Sequence, residues 1–480
     1  MKHILTLCLL LVNAFVTLSQ TGYNIAVELK PYRNTFVYLG YYYGDVRALA
    51  DSVKLDGNSR GVFNGAEALP GGIYFIVSPN KQILFELLID KDQQFSISAD
   101  SASLPSGVVF TGSEQNKNFQ HYSAFAGSTG QRIQQLNARL ASSRNANDSA
   151  KIGAEIRHLT SSLKKYRDSI TARNPDDFLA VLFNAMQEPA IPPASAHPGG
   201  KYDSNFVYEY YKGHFWDGIS FADDRLVRTP FFENKLEKYL NDLVSPNPDS
   251  LIKEIDYMLL YARSAEEMYK FLMVHLVQKY INPRFMGQDA VFVHLFEKYI
   301  NTGKTEFFTP QYKDFAAKRA YSLMANLIGR QAPELEMVDT LENPLPLYSV
   351  KGEFIVICFW DPTCSHCKET VPRVDSIYRA KWQKMGVQIY GVKTEGPRGE
   401  WLKFINDHKL ENWKHVYQTS VKEEQDTKEG RPSYKQLYDV YQTPMLYLLD
   451  KDKRIIAKKL TYLQIDEVID AKTGNAARSR

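Results

Sequence analysis

Apolar residues change their spacing twice along this chain. From about Thr21 to Thr111 they come in short alternating or continuous runs: Tyr23 to Lys30, Thr35 to Tyr43, Ile73 to Val77, Ile83 to Ile89 and Gln94 to Ser98. Turn-forming clusters separate them, namely Asp56-Gly57-Asn58, Pro70-Gly71-Gly72, Pro79-Asn80-Lys81 and Asp90-Lys91-Asp92. Short strands at such regular intervals predict a small β-sandwich. From about Ser113 to Gly329 the spacing turns helical, over Ile133 to Leu140, Ile152 to Tyr166, Phe178 to Met186, Glu233 to Leu243, Ser250 to Tyr261, Ala265 to Tyr280, Asp289 to Ile300 and Phe315 to Ile328. A proline-rich stretch, Pro189 to Gly200, reads as a long surface loop, and Asp249 as a helix N-cap.

Beyond about Pro333 the two periodicities alternate. Phe354 to Trp360 is a continuous apolar strand, and Ser365 to Lys384 a helix with Val371, Val374, Tyr378 and Trp382 on one face. Val387 to Val392 follows as a strand, Trp401 to His408 as a helix and Trp413 to Tyr417 as an extended piece. Met445 to Leu449 and Arg454 to Lys459 pair across a turn, and a last helix runs from about Gln464 to Ala471. The expected class is multidomain: an N-terminal β-sandwich over 21–112, a central all-α domain over 113–329 and a C-terminal α/β domain over 330–471. A small, polar and basic tail, 472–480, is expected to be disordered.

The N-terminus adds a destination. Lys2 and His3 precede a mostly apolar run, Ile4 to Leu18, too short for a comfortable membrane span. Residues 1–20 therefore read as an export signal, with cleavage near Ser19 or Gln20. An uncleaved anchor would leave the same domains on the same side of the membrane. Cys8 lies within the signal, so its removal leaves Cys358, Cys364 and Cys367. Three cysteines in an exported chain of this size do not make a disulfide-stapled scaffold, and two of them form a C-x-x-C. A net charge of +3 gives no ground for nucleic-acid binding.

The chemistry concentrates in Phe359-Trp360-Asp361-Pro362-Thr363-Cys364-Ser365-His366-Cys367-Lys368. A buried strand leads to a turn, and a helix begins at the first cysteine. Helix N-termini carry partial positive charge and unpaired N–H donors, which favour a thiolate. A free thiol has a pKa of about 8.5, and a C-x-x-C at such a terminus falls to roughly 3.5–7. Cys364 is the candidate nucleophile. Cys367, one helical turn on, is positioned to attack the mixed disulfide and release the product. A metal half-site would need further Cys or His ligands, and the nearby His366 sits between the cysteines rather than beyond them; no metal or cofactor is expected. Ser365 and His366 are candidate tuning residues, with a solvent-facing His366 an equal alternative. Pro372 is expected to kink the helix. Thr443-Pro444 precedes an apolar strand, where a cis proline would expose a backbone edge to an extended substrate.

Together Gly329-x-x-Ala332-Pro333, Phe359-Trp360, Cys364-x-x-Cys367-Lys368, Pro372 and Thr443-Pro444 resemble the TlpA/ResA-like thioredoxin-fold group, the exported reductases associated with cytochrome c maturation. The resemblance covers about a third of the chain. It implies Cys364 as the attacking thiol, Cys367 as the resolving thiol and Pro444 as the cis proline; Thr443, Pro444 and Trp360 are the candidate substrate contacts. The departures are specific. Cys358 stands where thioredoxins carry an acidic residue, Thr363 where they carry Trp, and Thr370 where TlpA/ResA-like domains often carry Glu. Glu369 is a substitute proton acceptor on one reading and a solvent-facing glutamate on the other, which the helix position favours. Upstream, Gly112-Ser113-x-x-Asn116 closes a region similar to a β domain that precedes such thioredoxins in Bacteroidetes. His214-Phe215-Trp216-Asp217, Asp223-x-Arg225 and Arg228-Thr229-Pro230 resemble a domain of unknown function in the same arrangement. That dense segment reads as a structural turn held by Asp–Arg pairs in preference to a partner surface.

The leading expectation is an envelope thiol–disulfide oxidoreductase, acting as a reductase on proteins with disulfides or thiols and re-reduced by a membrane electron donor. A peroxidase would carry Thr three and Pro seven positions before its cysteine, where this chain has Asp361 and Ile357. The non-enzymatic alternative is an envelope scaffold whose β and helical domains engage a partner.

Overall fold

The structure is a computed structural model that describes residues 22–105 and 107–474. The expected signal segment 1–20, with Cys8, lies outside the described residues, as does 475–480 of the expected tail. Internal packing divides the chain into two compact units, Met1–Leu243 with Leu260–Phe271, and Val244–Leu259 with Leu272–Arg480.

The first unit opens with eight strands, β1 (Asn24–Lys30), β2 (Phe36–Tyr43), β3 (Val46–Lys54), β4 (Arg60–Asn64), β5 (Gly72–Val77), β6 (Ile83–Ile89), β7 (Gln94–Asp100) and β8 (Val109–Thr111). They form two four-stranded sheets, ordered β4-β1-β7-β8 and β3-β2-β5-β6. Alternation along β1 turns Ile25, Val27 and Leu29 inward, where they share a core with Val37, Leu39, Ile76 and Leu87 of the other sheet. This is the expected sandwich. The sequence pattern missed β3 and β4. β3 has no buried residue, so it carries no alternation to read.

The helices are α1 (Glu114–Ser142), α2 (Ala146–Arg173), α3 (Phe178–Ala185), α4 (Ser204–Gly213), α5 (Phe232–Lys238), α6 (Pro248–Tyr261), α7 (Glu266–Ile281), α8 (Asp289–Leu295) and α9 (Pro310–Met324). α3 covers the outer face of the second sheet, packing Phe178, Leu179, Leu182 and Phe183 on Ile73, Phe75 and Leu88. The Ser113/Asn116 pair anchors α1 to that sheet. Ser113 caps the helix, while the buried Asn116 amide accepts from Leu88 N–H (2.7 Å) and donates to Leu88 C=O (2.8 Å). Arg225 donates to Asp223 (2.7 Å) and Asp90 (3.1 Å), so this stretch is a turn tied by Asp–Arg pairs.

In the second unit a six-stranded sheet, ordered β14-β13-β10-β11-β12-β9, comprises β9 (Val338–Asp339), β10 (Phe354–Trp360), β11 (Val387–Lys393), β12 (Lys414–Tyr417), β13 (Met445–Asp450) and β14 (Ile455–Lys458). β10, β11 and β12 run parallel, and β13 antiparallel to β10. Besides α8 and α9, the helices of this unit include α10 (Ser365–Ala380), α11 (Arg398–Asp407), α12 (Ser420–Lys428), α13 (Tyr434–Leu437) and α14 (Tyr462–Thr473). The pleat of β10 splits its side chains. Ile355, Ile357 and Phe359 face one core, while Val356, Cys358 and Trp360 face the other, with Val371, Val374 and Tyr378 of α10, Trp401 of α11 and Ile465 of α14. α10 ends at Ala380 rather than Lys384. Trp382 starts a separate 3-10 turn and donates to Asp466 (2.8 Å). α14 runs through Lys472 and Thr473 to a left-handed Gly474 cap (φ 76°), two residues beyond the expected domain end.

Two features of this unit are costly and therefore specific. Lys458 is buried, pairs with Asp289 and donates to Asn326 C=O (2.8 Å) and Oδ1 (2.7 Å). His415 sits among Trp360, Trp401 and Trp413, stacked on the last at 5.6 Å. Burial lowers its pKa to about 4, against the opposing bond of Nε2 to Leu410 C=O (2.8 Å). Gly391 makes room for this cluster, since a Cβ there would lie 3.1 Å from His415 Nδ1 and 3.2 Å from the Trp413 ring.

Candidate active site

β10 ends at Trp360, and residues 361–364 turn the chain into α10. Cys364 is the N-cap, in extended conformation (φ −70°, ψ 128°), and Ser365 is the first helical residue. Strand pairing brings a second segment alongside. Phe359 of β10 pairs with Met445 of β13, so Pro444 sits next to the end of β10, and the Thr443–Pro444 bond is cis. Cys364 Sγ donates to Thr443 C=O at 3.5 Å. Two segments 79 residues apart thus meet at one sulfur.

The two thiols differ electrostatically. Burial opposes ionisation of Cys364, but the backbone N–H of Cys367, the Thr443 side chain, the Cys367 thiol and the backbone N–H of His366 outweigh it, and its pKa falls below the ordinary thiol value. Cys367 is only 1% exposed. Burial pushes its thiol up to about 12, with the neighbouring Cys364 adding to the effect; Asp361 N–H, 3.4 Å from Cys367 Sγ, pulls the other way. An accessible sulfur with a lowered pKa therefore stands beside a covered one held protonated. The arrangement suits attack by Cys364 followed by closure from Cys367.

Ser365 and His366 are both exposed. His366 acts on Cys364 through its backbone N–H, and its ring makes no hydrogen bond among the described residues. Two expected roles are corrected. Trp360 was expected to touch substrate, but it is fully buried. Its position on the Val356/Cys358 side of β10 sends the indole into the core, so its place is structural. Glu369 was a candidate proton acceptor for Cys367. It is exposed and pairs with Arg373 one turn along α10 at 2.7 Å, on the solvent side of the helix. Cys358 is fully buried on the face that also holds Cys367, and burial raises its thiol pKa well above the ordinary value.

The pattern overlooked Asp361 and Lys393. Asp361 Oδ1 accepts from Thr363 N–H and Oγ1, both at 2.7 Å, fixing the turn that carries Cys364, while its own N–H reaches Cys367. An Asp two residues before a Thr is a readable side-chain turn signal. Lys393 ends β11 opposite Trp360; burial lowers its pKa and the charge of Asp361 pulls it back. Among the described residues no group of three or more His, Cys, Asp or Glu side chains could hold a metal ion, and no helix is long and apolar enough to cross a membrane.

Residues 328–463 match the AhpC/TSA family, over the sheet and both cysteines. The chain carries a thioredoxin-like oxidoreductase domain. Residues 151–312, upstream of it, match a domain of unknown function (DUF5106). The oxidoreductase domain is similar to thiol-disulfide oxidoreductase ResA of a Bacillus cereus strain, 24% identical over 131 residues, which span 27% of this chain and 68% of the relative. Among solved structures, a domain of a "possible thiol-disulfide isomerase" from Cytophaga hutchinsonii is 32% identical and covers 32% of this chain and 97% of its own, with a TM-score of 0.27. A thioredoxin-like protein from Bacteroides caccae is 20% identical and covers 59% and 98%, with a TM-score of 0.45.

Proposed function

We propose that this protein is a dithiol reductase of the cell envelope, of the cytochrome c maturation type, working through Cys364 and Cys367. The observation that carries the reading is the asymmetry of the two sulfurs: Cys364 accessible with a lowered pKa at the mouth of α10, Cys367 buried and raised to about 12. The Cys364 thiolate attacks one sulfur of a substrate disulfide, forming a mixed disulfide and expelling the other sulfur as a thiolate. Cys367 then loses its proton to solvent and attacks Cys364 Sγ, which releases the second substrate thiol. Two electrons have passed to the substrate, and a Cys364–Cys367 disulfide remains. A membrane dithiol donor would return the pair to its reduced form.

Thr443 and Pro444 are the proposed substrate-binding edge, because the Thr443 carbonyl already faces Cys364. Ser365 and His366 are proposed to tune the pair by opening the helix beneath the attacking sulfur. The basic start and short apolar run of residues 1–20 support export, and the TlpA/ResA-like motifs support the reducing direction. Insulin reduction with dithiothreitol as the electron source tests the reading. Wild-type protein should precipitate insulin B chain well above background, and Cys364→Ser should fall to background. Equal rates for the two would reject it.

A further inference from the structure

Next to the cis-proline turn the surface opens into a cleft of about 380 Å³. Tyr441 and Gln442 line it, and Gln442 directly precedes Thr443, whose carbonyl accepts from Cys364 Sγ. The rest of the lining is not all thioredoxin-like. The turn around Arg284, Phe285 and Met286, within the DUF5106 match, and Arg319 of α9 also face the cleft.

Two properties of this cleft go beyond what its own packing requires. The first is an exposed apolar rim: Phe285, Met286 and Tyr441 are 51%, 42% and 67% exposed. The second is unbalanced charge. Lys458 is matched by Asp289, but Arg319 and Lys459 share the single carboxylate of Asp439. Arg284 is exposed and has no ion-pair partner among the described residues; its guanidinium lies 5.4 Å from the Phe285 ring. The lining therefore carries surplus positive charge beside open apolar surface, within a residue of the reactive sulfur's acceptor.

We propose that this cleft receives the chain of a substrate protein next to its disulfide cysteine, and that it selects a segment bearing an acidic residue beside an apolar one. The proposal rests on the reading of Cys364 as the attacking thiol. An extended chain advances about 3.3 Å per residue, so substrate residues about two to four positions from the cysteine lie over the cleft. The acidic residue meets Arg284, and the apolar one lies against Phe285 and Tyr441. Substrate choice by the oxidoreductase domain is on this view partly the work of the helical region, through a wall that a lone thioredoxin fold lacks.

The test uses the full chain, reduced beforehand with dithiothreitol and freed of it. Two self-quenched fluorescent peptide dimers, each joined by one disulfide, differ in carrying Asp-Leu or Lys-Leu at the third and fourth positions from the cysteine. Single-turnover second-order rate constants are read as the ratio of the two on the same protein sample, which cancels differences in active fraction. Wild type should favour the acidic peptide by about tenfold at low salt, as charge steering does at an exposed rim. The preference should shrink in about 0.5 M NaCl, where screening is strong. Arg284→Glu should abolish or invert it, and Arg284→Lys should keep it. Equal rates for the two peptides in wild type, or an unchanged preference in Arg284→Glu, overturn the proposal. Hydroxyethyl disulfide separates the two levels: if wild type reduces neither peptide nor this small neutral disulfide, the Cys364 reading itself fails and the docking proposal falls with it.

Discussion

Reduced protein exposed briefly to iodoacetamide at pH 7 should be labelled at Cys364 and spared at Cys367. The size of the bias follows from the two environments. With its pKa pushed up to about 12, Cys367 is ionised in roughly one molecule in 10⁵ at pH 7. A thiol with a pKa of about 9 is about 1% ionised there. Cys364 lies below that value, so thiolate population favours it by at least about a thousandfold. A more basic sulfur is intrinsically more nucleophilic, and a Brønsted slope of about 0.4–0.5 returns some twentyfold to Cys367. Population still wins by about fiftyfold, before the near-complete burial of Cys367 is counted. One tryptic peptide, Gly352–Lys368, carries Cys358, Cys364 and Cys367 together, so the label must be localised by fragmentation in the mass spectrometer. The labelling rate of Cys364 against pH should show a midpoint below the ordinary thiol value. In Cys364→Ser, Cys367 should stay unlabelled, because burial, the larger cause of its shift, remains. Comparable labelling of both sulfurs in wild type, or a Cys364 midpoint at or above the ordinary value, would refute the reasoning.

Two further perturbations probe the frame beneath the site. His415 binds a proton less readily folded than unfolded, so the stability it contributes is full above about pH 6.5 and lost as pH falls towards about 4, amounting to about 3 kcal/mol. Four of the five tryptophans lie in the same domain, so urea unfolding followed by tryptophan fluorescence reads it directly. The drop between pH 7 and pH 4 should be shallower by about that amount in His415→Gln, and parallel profiles would contradict the assignment. Lys458→Met strands the buried Asp289 carboxylate and should cost about 3–5 kcal/mol, most of which Lys458→Met with Asp289→Leu should recover. Equal losses in the single and double variants would show that the pair is not coupled.

The parts of this molecule that were readable beforehand are those where local chemistry and tertiary demand agree. The apolar run of β10, the Cys364-x-x-Cys367 turn and the proline before β13 each impose their conformation on a few residues. The structure duly has a strand, an N-cap and a cis bond there. Some of what escaped lacks a buried face: β3 and α12 have no buried residue, so no core-facing pattern marks them. Trp360 was misread for a related reason. A tryptophan beside a redox motif looks like a contact residue, and only the pleat of β10 decides which side it takes. The surplus charge of the cleft was invisible because Arg284, Arg319 and Lys459 are far apart in sequence, and only folding sets two of them on one Asp439.

The Lys458 site bears on how this architecture can be cut and recombined. The oxidoreductase domain was expected to start at residue 330, yet Asp289, which neutralises its buried ammonium, and Asn326, which accepts hydrogen bonds from it, come earlier in the chain. Ser322 and Asn326 also donate to the carbonyls of Gln436 and Leu437, on the way to the cis proline. A gene fragment begun at the apparent boundary would encode a domain with an orphaned cation inside it and a loosened approach to its own reactive edge. A fragment meant to carry this oxidoreductase fold should therefore start ahead of α8, so that Asp289 and Asn326 stay with Lys458.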